Sequence, residues 1–229
     1  MMYRVLVVFF IMICLLSCNK IENPNSELIN LRFKRVLILG NSITYHEPNI
    51  SLNWSGNWGM AASARDSDYV HILNTNFINN KSNSVFKAVN ISVFENEYQN
   101  YDLSRLDSLN DFKPDLLIIR IGENVNPNNY KTNNFSKYYI DLIRLFKNKN
   151  QNLKVICVSN FWRNPPIEET IKQCAIAEQA AYVSISHLDE AKFTAWGLFS
   201  EPAVGSHPGN RGMKEIANLI WTKIIELNK

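Results

Sequence analysis

Only four cysteines occur in 229 residues, and none lies in a Cys-x-x-Cys pair or a Cys/His cluster. That leaves no ligand spacing for a structural zinc, and no metal or other cofactor is expected. Charge of one sign is equally sparse. The net charge is +3, the lysines and arginines are scattered, and no polybasic run occurs. A nucleic-acid partner is therefore not expected. No internal repeat is present, which excludes solenoid and propeller architectures. The longest apolar run, Val5 to Leu16, is twelve residues, too short to cross a bilayer comfortably. What remains is an ordinary globular composition, 46% hydrophobic and 20% charged, sized for one α/β domain.

The apolar run follows a short, positively charged start, Met1 to Arg4, which is the layout of a secretory signal peptide. It ends in Leu15-Leu16-Ser17-Cys18, which resembles a bacterial lipobox. The resemblance implies a signal peptide over residues 1–17, cleavage before Cys18 and lipidation of its sulfur. The acyl chains would then anchor an exported protein to a bilayer, in the periplasm or at the cell surface. An ordinary signal peptide with an incidental cysteine is the other reading. Residues 18–31 are polar and carry Pro24, so they read as a tether, with the domain over 32–229. Within it, Cys157 falls in an apolar strand and Cys174 in a helix. They are expected as two buried thiols, a disulfide being the alternative in an exported chain.

The domain alternates apolar strand-like runs with amphipathic segments. Strands are expected at Arg35–Leu39, Val85–Phe94, Leu116–Ile121, Lys154–Ser159 and Tyr182–Ile185. Helices are expected at Met60–Phe77, Leu103–Phe112, Ser136–Lys147, Ile167–Ala181 and Gly212–Leu227, with a loop over Ala203–Pro208. Alternation of this kind implies a parallel sheet covered on both faces. Right-handed crossovers then bring the loops after the strands to one rim. Ser42, Glu95, Asn124, Trp162 and His207 would converge there. Serine acyl transfer needs that set: a nucleophile, a base and oxyanion donors. Ser42 is the candidate nucleophile and His207 the candidate base. The Ser42 N–H and the Asn124 amide are the candidate oxyanion donors. His46, His71 and His187 fit loop, structural and surface positions better.

Gly40-Asn41-Ser42-Ile43-Thr44 resembles the first conserved block of the SGNH (GDSL-like) hydrolases. Gly122-Glu123-Asn124 resembles their third block and His207-Pro208 their fifth, and the three occur in family order. The resemblance implies a flavodoxin-like three-layer α/β/α sandwich, esterase or lipase activity and no metal. Trp58 to Ser63 and His207 to Met213 also look like a subgroup of exported bacterial proteins. Two departures stand out. The family acid, three residues before the histidine, is here Val204. A main-chain carbonyl in the Glu201–Gly205 segment, or displaced Glu201, would have to orient His207 instead. The second-block glycine is also missing, so the N–H of Phe94 or Glu95 would serve as that oxyanion donor.

Aromatic and polar loops suggest a carbohydrate ester, with Trp58, Glu123, Trp162 and Arg163 as substrate-lining candidates. The tryptophans between Tyr45 and Ser63 have an alternative role in pinning that loop to the core. The expected partners are a small-molecule or polysaccharide ester, probed by a serine esterase, and the bilayer through the acyl anchor. A catalytically inert glycan-binding protein on the same fold is the alternative function.

Overall fold

The computed structural model describes residues 28–229. The signal-peptide and lipobox readings lie outside these residues. Five strands form one sheet: β1 (Arg35–Gly40), β2 (Val85–Asn90), β3 (Leu116–Arg120), β4 (Lys154–Val158) and β5 (Ala181–Val183). All pairings are parallel, in the order β2-β1-β3-β4-β5. The helices are α1 (Tyr69–Asn79), α2 (Ser92–Glu97), α3 (Asp107–Asn110), α4 (Phe135–Lys147), α5 (Pro165–Ala177), α6 (Pro202–Gly205) and α7 (Asn210–Leu227).

The uninterrupted apolar runs of β1 and β3 arise because both faces of the sheet are covered. Val36, Ile38, Leu116 and Ile118 pack with α1 and α7 on one face. Leu37, Leu39, Leu117 and Ile119 pack with α2 to α5 on the other. The result is the three-layer α/β/α sandwich, and every strand delivers its carboxyl end to the same rim. β1 and β3 are adjacent at its centre, so the segments after Gly40 and Arg120 lie side by side. Gly40 permits the sharp exit from β1, since a Cβ there would stand 1.8 Å from Thr44 Oγ1.

Several boundaries move from the sequence reading. β2 stops at Asn90, not Phe94, because the Asn90 side chain accepts the Ser92 N–H at 2.9 Å and the chain turns into α2. The helix expected from Met60 starts only at Tyr69. Its cap, Asp68, accepts the His71 N–H at 2.8 Å and the Gly59 N–H at 3.0 Å, which holds the preceding segment as a loop. The Ala203–Pro208 loop contains the last turn of a short helix, α6. Ile29 packs on the core and Leu31 is buried in it, so the end of the expected tether belongs to the packed domain. Cys157 and Cys174 are free and buried.

Ile118 lies in central β3 with both flanking strands paired and no exposure. Replacing it with alanine is expected to cost about 2–5 kcal/mol. Urea unfolding with an unchanged slope measures this, and a loss below about 0.5 kcal/mol would contradict the packing described.

Candidate active site

Ser42 lies in the turn two residues beyond β1, and His207 between α6 and α7. Ser42 Oγ is 2.8 Å from His207 Nε2. On the other side of the ring, Nδ1 is 2.8 Å from the Ala203 carbonyl oxygen. A carbonyl only accepts, so Nδ1 carries the hydrogen and Nε2 presents its lone pair to the serine hydroxyl. This is the tautomer in which histidine can take a proton from serine. Burial lowers the His207 pKa to about 4, with Arg120 pushing the same way and the Ala203 bond opposing. The ring is thus neutral at pH 7. Trp162 packs against it at 5.0 Å between centroids, nearly perpendicular, and donates its Nε1–H to the Ser206 carbonyl at 3.1 Å.

The position three residues before His207 is closed to an acid by packing. Val204 is fully buried with Trp54, Met60, Ala61 and Ala195. Glu201 stands at the start of α6, and its main-chain carbonyl accepts from Val204 and Gly205. Its carboxylate makes no hydrogen bond to His207, whose Nδ1–H is already taken. The displaced-acid alternative is therefore not what the geometry displays.

Behind Ser42 lies a buried polar network that joins three rim segments. Arg120, at the end of β3, has no exposure. It donates to Glu123 Oε1 at 2.6 Å and, through its other terminal nitrogen, to Asn41 Oδ1. Glu123 Oε1 also accepts the Phe161 N–H at 2.9 Å, and its Oε2 accepts from Asn41 Nδ2 at 2.8 Å. Asn41 Oδ1 further accepts the Ile43 N–H at 3.2 Å. Glu123 was expected at the substrate rim. Its side chain is instead 1% exposed and turned inward on Arg120, because an unpaired buried guanidinium would be far costlier than this pair.

Glu95 is also corrected. It is the fourth residue of α2, and its side chain is buried, not presented at the rim. The Phe94 N–H bonds to the Ile91 carbonyl at 2.8 Å and is unavailable as an oxyanion donor. The Glu95 carboxylate, fully buried, reaches the Asn124 side chain: Nδ2 donates to Oε2 at 2.7 Å. The second hydrogen of that amide and the Ser42 N–H have no partner among the described residues. They are unpaired donors on the segments that follow β1 and β3. Trp58 has its Nε1–H on the Ala62 carbonyl at 2.9 Å and its ring edge-on to Trp54, which favours the loop-pinning role. Arg163 is exposed, with only its main-chain N–H tied, to Asp189 at 3.1 Å.

The sequence reading missed Arg120 and Asn41, whereas the Ala203 carbonyl lies in the Glu201–Gly205 segment where a main-chain acceptor was expected. A charged residue closing the otherwise apolar run Leu116–Ile121 was the available signal for the first. His46 bonds the neighbouring Glu47 carbonyl and His71 pairs with Asp68, so neither competes as the base.

This fold is that of the SGNH (GDSL-like) hydrolases. No family profile matches the chain, and no curated protein matches it. Among solved structures, it is similar to the psychrotrophic esterase EstA from Pseudoalteromonas sp., at 17% identity and TM-score 0.56, over 86% of this chain and 100% of that one. It is also similar to a protein described as a GDSL-like lipase from Parabacteroides merdae, at 17% identity and TM-score 0.58, over 88% and 99%. A third is a two-domain esterase active on acetylated mannans, at 18% identity and TM-score 0.58. That match takes in 86% of this chain but 49% of the other, so the chain spans about half of the two-domain enzyme.

Titration of the His207 ring by heteronuclear NMR is expected to give a midpoint near 4. The Glu201→Gln variant should leave it unchanged. A midpoint near the ordinary value of about 6.5, or one that Glu201→Gln shifts downward, would contradict the geometry.

Proposed function

We propose that the protein is a serine esterase that removes a short acyl group, acetyl foremost, from a carbohydrate. The observation that carries this is the Ser42–His207–Ala203 relay, 2.8 Å at each step. Ser42 Oγ attacks the ester carbonyl while Nε2 takes the hydroxyl proton. The oxyanion is held by the Ser42 N–H and the free hydrogen of the Asn124 amide. His207 then protonates the leaving sugar oxygen, and the acyl group stays on Ser42 until water, activated by the same nitrogen, releases it. The Ala203 carbonyl fixes the tautomer as an acid would, but with a dipole in place of a full charge.

Support for a sugar comes from the surface beside Asn124. A cleft of about 310 Å³ runs along α2 and the loop after β3, lined by Asn96, Gln99, Asn100, Asn124, Asn126 and Asn129 among others. Side-chain amides both donate and accept, which suits hydroxyl groups. Ser42 and His207 do not line this cleft, which meets the site through Asn124, whereas a larger cavity of about 520 Å³ between the α4 and α5 ends shares none of these three residues. The acetylated-mannan esterase and an acetyl xylan esterase among the similar structures are in keeping with this reading. We further propose that Cys18 is lipidated and that the enzyme works as an exported, membrane-anchored protein.

The test is a panel of esters, from acetylated oligosaccharides to long-chain acyl esters. The wild type should favour acetylated sugar, and Ser42→Ala should lose at least about 10³ in kcat while remaining folded. Asn100→Ala should raise KM for the oligosaccharide and not for a small aryl acetate. Turnover that survives in Ser42→Ala, or a preference for long acyl chains, would overturn the proposal.

A further inference from the structure

A buried carboxylate is costly unless its oxygens are satisfied, and proton exchange between Ser42 and His207 uses none. Glu95 is nevertheless fully buried. Its oxygens collect N–H groups from the turn after β1 and the loop after β3. Oε1 accepts from Gly122 N at 2.5 Å, Asn41 Nδ2 at 3.2 Å and Asn124 N at 3.3 Å. Oε2 accepts a single bond, from Asn124 Nδ2 at 2.7 Å. The uneven occupancy matters. An ionised carboxylate only accepts, so it admits one orientation of the Asn124 amide, nitrogen inward. A proton arriving from water has room only on Oε2. The resulting O–H is a donor facing an amide nitrogen, and the pair is satisfied again only when the amide turns over and offers Oδ1. A lone pair then occupies the place of the free N–H.

We propose that Glu95 is a positioning residue whose ionised carboxylate holds the Asn124 amide in its donating orientation, and that protonation of Oε2 switches the oxyanion site off. This rests on the reading of Asn124 as an oxyanion donor to an ester carbonyl.

The groups that face Glu95 set where the switch falls. Burial is the main influence and the Glu123 carboxylate the next. Together they raise Glu95 to about 6, against the bonds from Gly122 and Asn124. Arg120 lies behind them, paired to Glu123. On its own element, Glu97 is exposed, and Tyr98 follows in the lining of the same cleft. His207 loses its proton near 4, lower than Glu95 does. The acid limb of activity therefore belongs to Glu95. Above pH 6 both groups are in their working forms, and below it activity falls about tenfold per pH unit while His207 is still neutral.

The experiment is the pH profile of kcat/KM for an acetyl ester, in wild type and Glu95→Gln, with Ser42→Ala as the reference for turnover. Wild type should show an acid limb near 6. Glu95→Gln, which cannot ionise, should show a limb near 4, with kcat about 10- to 100-fold lower on the plateau and KM within about threefold. A wild-type limb near 4, or a limb near 6 that persists in Glu95→Gln, overturns the role of Glu95 while leaving the esterase reading intact. Activity that is independent of Ser42 overturns that reading and this one with it. A measurement on wild type alone covers a variant that fails to fold. The Asn124 side-chain amide resonances should titrate with a midpoint near 6, and resonances unmoved between pH 7 and 5 overturn the proposal.

Discussion

The buried ion pair between Arg120 and Glu123 is the contact on which the rim of this molecule depends. The two side chains are 0% and 1% exposed. Their partners come from three loops: Asn41 after β1, Glu123 after β3 and the Phe161 N–H after β4. Such a pair gives little net stability, because desolvation offsets most of the attraction. Its value is geometric. Removing either charge would leave the other buried and unpaired, at about 3–5 kcal/mol, so the three loops hold a single arrangement. Ser42 follows Asn41 and Asn124 follows Glu123, so the candidate nucleophile and the Asn124 amide are both on segments held by this one contact.

On the other side of Ser42, orientation is achieved without an acid. The last turn of α6 brings the Ala203 carbonyl under the His207 ring, while Val204 is anchored in a small apolar cluster with Trp54 and Met60. Backbone is harder to displace than a side chain, so the tautomer is well fixed. What is lost is the negative charge that would stabilise an imidazolium. With its pKa lowered to about 4, mainly by burial, His207 is a weak base, and in the proposed mechanism it relies on contact with Ser42 and on the oxyanion donors. In the proposed mechanism, the acid-free relay and the charged network around Asn124 are complementary, since electrostatic help missing behind the histidine would come from the oxyanion side.

The sheet was legible because burial on both faces leaves a strong imprint: four successive apolar residues at each of β1, β3 and β4. Ser42, Asn124 and His207 were legible because each sits at a strand end or the last loop, in motifs whose order carries meaning. The polar network was not. A glutamate in the sequence looks the same whether solvated or buried, and Glu95 and Glu123 were placed at a rim by their positions after expected strands. Only the fold reveals that Arg120, Asn41 and three backbone N–H groups converge on them. The main-chain acceptor was legible only to its segment, Glu201–Gly205, through the missing acid at Val204; that it is the Ala203 carbonyl has no side-chain signature. The end of β2 was misjudged because Val89, Ile91 and Val93 alternate as a strand would, while the turn is imposed by Asn90.

The central claim is that Ser42 is a nucleophile activated by a neutral His207. Exposure of the protein to a phosphonate ester, followed by intact-mass measurement and peptide mapping, tests it most directly, since the phosphonyl group reports which oxygen attacks. The account predicts one adduct per chain, on Ser42, formed at a rate that falls sharply in His207→Ala. No adduct, an adduct on another residue, or a rate indifferent to His207 would contradict it.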